Sequence, residues 1–288
     1  MSGKPQQTTV ARPVGVEGIG LHSEQRCAVR LLPARGDSGV VFVCGSGAEV
    51  PGRAEFVGGT QRGTVLESGG ARVGCVEHLM AVLYGMGVDN VRVEVEGPEL
   101  PALDGSAAQW LKLVRRAGMK RLGAARRVGR LQQPVWESHG DAWVLAAPAS
   151  RGLSLAVVVD FEGTAAGRQT LWLKLTGRSF AQELAPARTF ATMEEVEALR
   201  AAGLALGGGP ENAFAVRADG YSGPLRFPDE VVRHKALDLV GDLALCGRRF
   251  SGQVIAVKPG HRVNVALARA LSRSFGECRA EKHEARSD

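Results

Sequence analysis

His234, Asp238 and Asp242 recur at intervals of four within VVRHKALDLVGD, residues 231–242. On an α-helix that spacing stacks three side chains along one face. An imidazole and a carboxylate four residues apart can bind one metal ion, and a second carboxylate on the same stripe can orient a neighbouring group. Alone, HxxxD is a weak signal, and a surface histidine bonded to an aspartate is the better reading of it. Other residues bear on the choice: His78 has Glu77 beside it in VEHLM, His261 follows KPG, and His22 follows GIGL. Were His78 to meet His234 and Asp238, two neutral imidazoles and a carboxylate would suit zinc, with one position left for water. Glu77 could then take a proton from that water, although an acidic group at a helix start also complements the helix dipole. His261, in a flexible loop, suits a general acid, and Asp242 would raise its pKa if the two met. If they do not meet, they are an unrelated surface histidine and helix aspartate. His22 lies just past Gly18 and Gly20, where backbone freedom lets a side chain approach a ligand or simply make a turn. Thr189 in ARTF and Lys235 beside His234 are candidates for an oxyanion donor and an anion contact.

These residues need elements to hold them. Val232, Ala236, Leu239, Val240 and Leu243 fall at helical spacing opposite the polar stripe, and Pro228, Asp229 and Glu230 supply a start signal. CVEHLMAVLYGMG reads as a second, mostly apolar helix ended by Gly85 and Gly87, followed by the alternating strand DNVRVEVEG. A serine-capped helix is expected in LDGSAAQWLKLVRRAGM. VGVEGIGLHS, CAVRLLPA, GVVFV, PVWES, AWVLAAP, LSLAVVVDF, QTLWLKL and QVIAVK read as extended, and further helices are expected over residues 192–202 and in VNVALARALSRS. EHLMAVLYGMGVDNVRVEVEGP and RHKALDLVGDLALCGRRFSGQVIAVKPG share one plan: histidine, apolar helix, glycine break, alternating strand, proline–glycine corner. The expected fold class is therefore α+β, with two similar layered α/β sandwich domains and the active site between them. The basic, glycine-containing LGAARRVGRL marks the boundary, giving domains over residues 1–123 and 124–288.

Bulk properties narrow the class. The 288 residues are enough for two cores, and 44% hydrophobic with 23% charged residues is a globular balance. The five cysteines form no CxxC pair, which argues against a disulfide framework or a thiolate zinc knuckle and fits a reducing cytoplasm. MSGKPQQTTVARP lacks an apolar signal core and no run is long enough for a transmembrane segment, so a cytoplasmic location is expected. A net charge of +6 admits an anionic partner, either RNA, an acidic membrane or a phosphorylated substrate. Much of it lies between Arg115 and Arg130, without the interleaved aromatics of a base-stacking surface.

VEGIGLHS, VEHLMAVLYGMGVDNVRVEVEGPELPALDGSA, ARTF, GLALGG, LRFPDEVVRHKALDLVGDL and KPGH, in this order and over most of residues 10–270, resemble the zinc-dependent UDP-3-O-acyl-N-acetylglucosamine deacetylases of lipid A synthesis. The resemblance implies hydrolysis of the acetamide to a free amine and acetate, with Zn2+ as cofactor. It assigns His78, His234 and Asp238 to the metal and Glu77 to the general base. Thr189 would steady the oxyanion, His261 would protonate the leaving amine, and Asp242 would support His261. Lys235, Lys258, Phe190 and His22 would bind substrate. An insertion at about residues 190–216, with Ala191, Leu199, Leu204, Ala205 and Ala213, would line the acyl passage, though core packing explains these residues too. Ala191 and Thr192 after ARTF, and Ala142 in GDAW, depart from the family pattern, and no role transfers into residues 44–74. The expected partner is an acylated UDP-sugar and not nucleic acid, handled by a monomer, with peripheral membrane contact allowed by the acyl chain. The alternatives are a related zinc amidohydrolase acting on another N-acetylated sugar, or a non-catalytic basic module for RNA or membranes.

Overall fold

The computed structural model describes residues 5–45 and 47–284, with side chains described as far as residue 275. In chain order the first unit comprises β1 (Gln6–Val10), β2 (Val14–Ile19), β3 (Arg26–Leu32), β4 (Val40–Cys44), β5 (Glu49–Pro51), β6 (Val57–Gly59), β7 (Val65–Ser68), β8 (Ala71–Val73), α1 (Glu77–Met86), β9 (Val91–Glu96), α2 (Ala108–Ala117) and β10 (Met119–Ala125). The second adds β11 (Val128–Arg130), β12 (Val135–His139), β13 (Ala142–Pro148), β14 (Leu153–Phe161), β15 (Gly167–Leu175) and a short turn α3 (Gly177–Ser179). It continues with β16 (Thr189–Thr192), α4 (Met193–Ala201), β17 (Ala213–Val216), α5 (Glu230–Ala244), β18 (Arg249–Val257) and α6 (His261–Glu284).

The repeat seen in the sequence is a repeat of topology. In the order β2-β3-β9-β4-β5, the strand after α1 inserts between β3 and β4, antiparallel to the first and parallel to the second. In the order β12-β13-β18-β14-β15, the strand after α5 inserts the same way between β13 and β14. Each parallel pair requires a crossover, and the helix supplies it. Alternation then divides the faces: Val91, Val93 and Val95 on β9, and Leu155, Val157 and Val159 on β14, are buried against the helices.

The two outer sheet faces differ in chemistry. On the first, Arg30 pairs with Glu94 and Arg92 with Glu49. On the second, Trp136, Leu145, Ile255, Ala156 and Trp172 form one row in register across all five strands. Trp136 and Trp172 at its ends are 64% and 69% exposed.

Several expectations change. LGAARRVGRL, where the boundary was expected, is paired on both sides: β10 pairs with β1, and β11 joins β18 of the second sheet. Its small residues permit pairing while Arg127 and Arg130 stay exposed. The helix expected to start with a serine cap begins at Ala108, with Ala107 in the cap position. Ser106 instead stands one residue earlier, where its hydroxyl accepts the Ala108 N–H. His261 is the first residue of α6 rather than part of a loop. Residues 44–74, into which no role was transferred, hold the meander β6-β7-β8.

Helix α5 is buried almost throughout, including His234, Asp238 and Asp242. Its polar stripe faces the first unit, because α1 packs on it. At the crossing, a Cβ on Gly241 would lie 2.1 Å from the Glu77 carbonyl oxygen, so only glycine permits this approach. Among the described residues, no helix is long and apolar enough to cross a membrane.

Candidate active site

Packing α1 on α5 sets His78 against His234. Their Nε2 atoms are 3.1 Å apart, and His78 Nε2 is 3.4 Å from Asp238 Oδ1. One donor atom from each of His78, His234 and Asp238 falls within 4.8 Å of the others. The shorter separations approach the edge of a tetrahedron around a cation with ligand bonds of about 2.0–2.1 Å. Asp238 Oδ1 is buried without a hydrogen-bond partner, and a cation would satisfy it. Burial, outweighing the nearby Asp238, lowers the His234 pKa to about 3, so its ring is neutral, as a metal ligand must be. Burial would push Asp238 up, but the Lys235 ammonium bonded to its Oδ2 helps hold it well below its usual range. The donor set fits a divalent metal.

Glu77, the first residue of α1, is buried beside this cluster. Its Oε2 accepts the backbone N–H of Thr64 at 2.9 Å. The Thr64 hydroxyl donates to Asp242 Oδ1 at 2.6 Å and lies 3.3 Å from His261 Nδ1. His261 Nδ1 lies 2.9 Å from Asp242 Oδ2, which also accepts the Asn264 amide at 2.9 Å. Burial works against a charged imidazole here, yet Asp242, with Glu77 and Asp238, raises the His261 pKa to about 9. Because Nδ1 is held by Asp242, Nε2 is the nitrogen left for the cleft.

Thr189 opens β16, which pairs in parallel with β17. Its hydroxyl donates to the Gly105 carbonyl at 3.0 Å and lies 3.3 Å from His234 Nε2. The strand is anchored by Arg188, whose backbone N–H and guanidinium both bond to the fully buried Glu230 at the start of α5.

The His78–His234–Asp238 cluster, Glu77 and His261 share a cleft of about 900 Å³. Phe190 lines it and meets the His234 ring edge-on at 5.6 Å between centroids. Leu199 and Leu204 from the insertion line it with Leu21 and Phe161. Ala191, Ala205 and Ala213 are not among its lining residues, and Ala213 is paired with Thr189. Thr192, an expected departure, caps α4 by accepting the Glu195 N–H. Lys235 lines the cleft, but its ammonium bonds to Asp238 Oδ2 at 2.9 Å, and Lys258 bonds to Asp141 at 2.7 Å beside Ala142. His22 stands apart: Leu21 lines the cleft, whereas the His22 ring bonds to the Arg62 carbonyl at 3.1 Å. In the basic cluster, Arg126 pairs with Asp89 and Arg127 with Asp37, leaving less charge free for RNA.

Thr64 and Asn264 escaped the sequence reading. Nothing in their spacing points to Asp242; the one available signal was that an asparagine follows His261 at i+3 on one helix face.

The sequence pattern of the family described as UDP-3-O-acyl N-acetylglycosamine deacetylase matches residues 7–273. A UDP-3-O-acyl-N-acetylglucosamine deacetylase of Anaeromyxobacter dehalogenans is 46% identical over 268 residues, 92% of this chain and 87% of that protein. The protein of that name from Thermosynechococcus vestitus is 43% identical over 270 residues, 92% of this chain and 94% of its own length. That of Phenylobacterium zucineum is 41% identical over 290 residues, covering 96% and 99%. With pattern and relatives spanning nearly all of its length, the chain belongs to the UDP-3-O-acyl-N-acetylglucosamine deacetylase family.

Proposed function

We propose that the protein hydrolyses the acetamide of a UDP-3-O-acyl-N-acetylglucosamine, giving the amine and acetate. The observation that carries this reading is the convergence, at one cleft, of a His78–His234–Asp238 donor set, the Glu77 carboxylate and the Asp242-held His261 imidazole.

Two imidazoles and a carboxylate suit zinc, which when bound supplies a Lewis acid that acidifies water and polarises the carbonyl. Glu77, fixed by the Thr64 N–H, accepts one proton from the attacking water as its oxygen bonds to the acetyl carbon. The carbonyl oxygen gains charge, and the Thr189 hydroxyl turns from Gly105 to donate to it. The C–N bond then breaks, and His261 Nε2 delivers its proton to the departing nitrogen. Asp242 keeps that imidazole charged and oriented until then. Lys235 steadies Asp238 and adds positive charge where the diphosphate approaches, with Lys258 at the rim. Phe190, Leu199 and Leu204 offer apolar surface to the acyl chain.

The same reading keeps domains over residues 1–123 and 124–288, and a cytoplasmic monomer. The exposed row ending in Trp136 and Trp172 supports peripheral contact with a lipid surface. The test is a mass-spectrometric assay with the acylated UDP-sugar, before and after chelation. Metal-dependent loss of one acetyl group is the expected result, and no product in the metal-loaded protein would overturn the reading.

A further inference from the structure

Behind the cleft, three segments outside the proposed catalytic set converge: the corner after β2, the residues just before α1, and the stretch after β9. They bring together a ring nitrogen of His22, the sulfur of Cys75 and a carboxylate oxygen of Glu99, all within 4.8 Å of one another. Glu99 is buried and immobilised through Oε1, which accepts the N–H groups of His22 at 3.0 Å and Ser23 at 2.7 Å and the Ser23 hydroxyl at 2.6 Å. Its other oxygen faces Cys75, accepting the thiol at 3.1 Å. Cys75 itself has φ +56, a left-handed conformation uncommon for a residue other than glycine, and one often kept at functional sites.

The His22 tautomer follows from its surroundings. Nε2 lies 3.1 Å from the Arg62 carbonyl, and a carbonyl can only accept, so the proton is on Nε2. In the neutral ring Nδ1 then carries a lone pair, and it is buried with no hydrogen-bond partner. Such an orphaned acceptor is costly, and a cation satisfies it as well as a proton donor does. The buried Glu99 carboxylate beside Cys75 supplies negative charge for a cation to offset.

We propose that His22, Cys75 and Glu99 form a second metal site, which takes a borderline divalent cation such as zinc through one nitrogen, one thiolate sulfur and one carboxylate oxygen. On binding, the S–H bond of Cys75 breaks and its proton passes to solvent, while the sulfur lone pair and the Nδ1 and Oε2 lone pairs form bonds to the ion. Thiolate and carboxylate together balance the two positive charges. Imidazole and thiolate favour zinc and cobalt over magnesium or calcium. The ligands are distinct from the His78–His234–Asp238 set, so this site stands or falls independently of the proposed deacetylation. A bound ion would pin the corner at His22 to the segment leading into α1.

Cobalt tests the proposal, because only a thiolate ligand produces an intense sulfur-to-cobalt charge-transfer absorption in the near ultraviolet. The full-length protein, stripped of metal, is titrated with Co2+ alone while absorbance and bound cobalt are followed. Wild type should take up two equivalents and develop the band. Cys75→Ala and, separately, His22→Gln should each lose one equivalent and the band. A His78→Ala, His234→Ala double variant should lose one equivalent and keep the band. Should wild type show no band, or should both Cys75→Ala and His22→Gln retain the second equivalent, the site does not exist. Circular dichroism of each variant establishes that it is folded. If one single variant fails to fold, the other and the wild-type spectrum still decide.

Discussion

Thr64 links Glu77 to Asp242, its hydroxyl bonded to Asp242 Oδ1 at 2.6 Å and its backbone N–H to Glu77 Oε2 at 2.9 Å. Replacing Thr64 by valine keeps the shape and the bond to Glu77 but removes one donor from a fully buried carboxylate. The expected cost is about 1–3 kcal/mol of stability, measurable by denaturant titration. The pH–activity profile should move as well. With less hydrogen bonding on Asp242, its charge acts more strongly on His261, so the alkaline limb shifts upward.

Asp242→Asn should move the same limb the other way. His261 has a pKa raised to about 9 from an ordinary 6.5, with Asp242 the chief cause overcoming burial. A general acid must be protonated, so activity in the native protein is expected to persist to about pH 9 and to fall above it. Without the aspartate charge the fall begins at lower pH, as kcat/KM against pH will reveal. The sign for stability is the same. A raised histidine pKa contributes fully below about 6.5 and is lost as pH rises through about 9. A limb unmoved in both Thr64→Val and Asp242→Asn would remove His261 from the acid role.

Glu77→Gln keeps the size of the side chain and abolishes the base. We expect kcat to fall by roughly 10²–10⁴-fold. Bound metal, measured by elemental analysis, should remain, because Glu77 is not in the donor set. His78→Ala should instead lose both activity and the metal of that set.

Gly241→Ala examines the helix crossing itself. The added methyl would meet the Glu77 backbone carbonyl at 2.1 Å, which no rotamer change can relieve. Overpacking of this kind costs roughly 1–3 kcal/mol. Here it also pushes Glu77 away from its partners. Thermal melting and kcat measured together should both decline, and a variant with native values of both would show that the helices can separate without consequence.

Much of this was legible in the sequence because it is written in local periodicity. The amphipathic pattern of residues 231–242 gave the helix and the order of His234, Asp238 and Asp242 along it. The two matching helix–strand segments anticipated β9 and β18, each central in its own sheet. What periodicity could not convey was which surface would be covered: the polar stripe of α5 looks solvent-facing until α1 packs on it. Thr64 and Asp242 are 178 positions apart and share no pattern, so their bond arises only from the tertiary structure. The pairing within LGAARRVGRL was hidden for another reason. Glycine and arginine suggest a linker, but backbone pairing with β1 and β18 overrides that composition.

The separation of Thr64 from Asp242 and from His261, 178 and 197 positions along the chain, also has a kinetic meaning. Contacts so distant require closing very long loops, and they form only after the local helices and hairpins exist. Catalytic competence should thus be among the last properties gained on refolding. It should be among the first lost on mild denaturation, since a small loosening between α1 and α5 parts the acid from the base while each sheet keeps its own ladder. Activity is therefore expected to report on docking of α1 against α5 earlier than circular dichroism reports loss of the sheets.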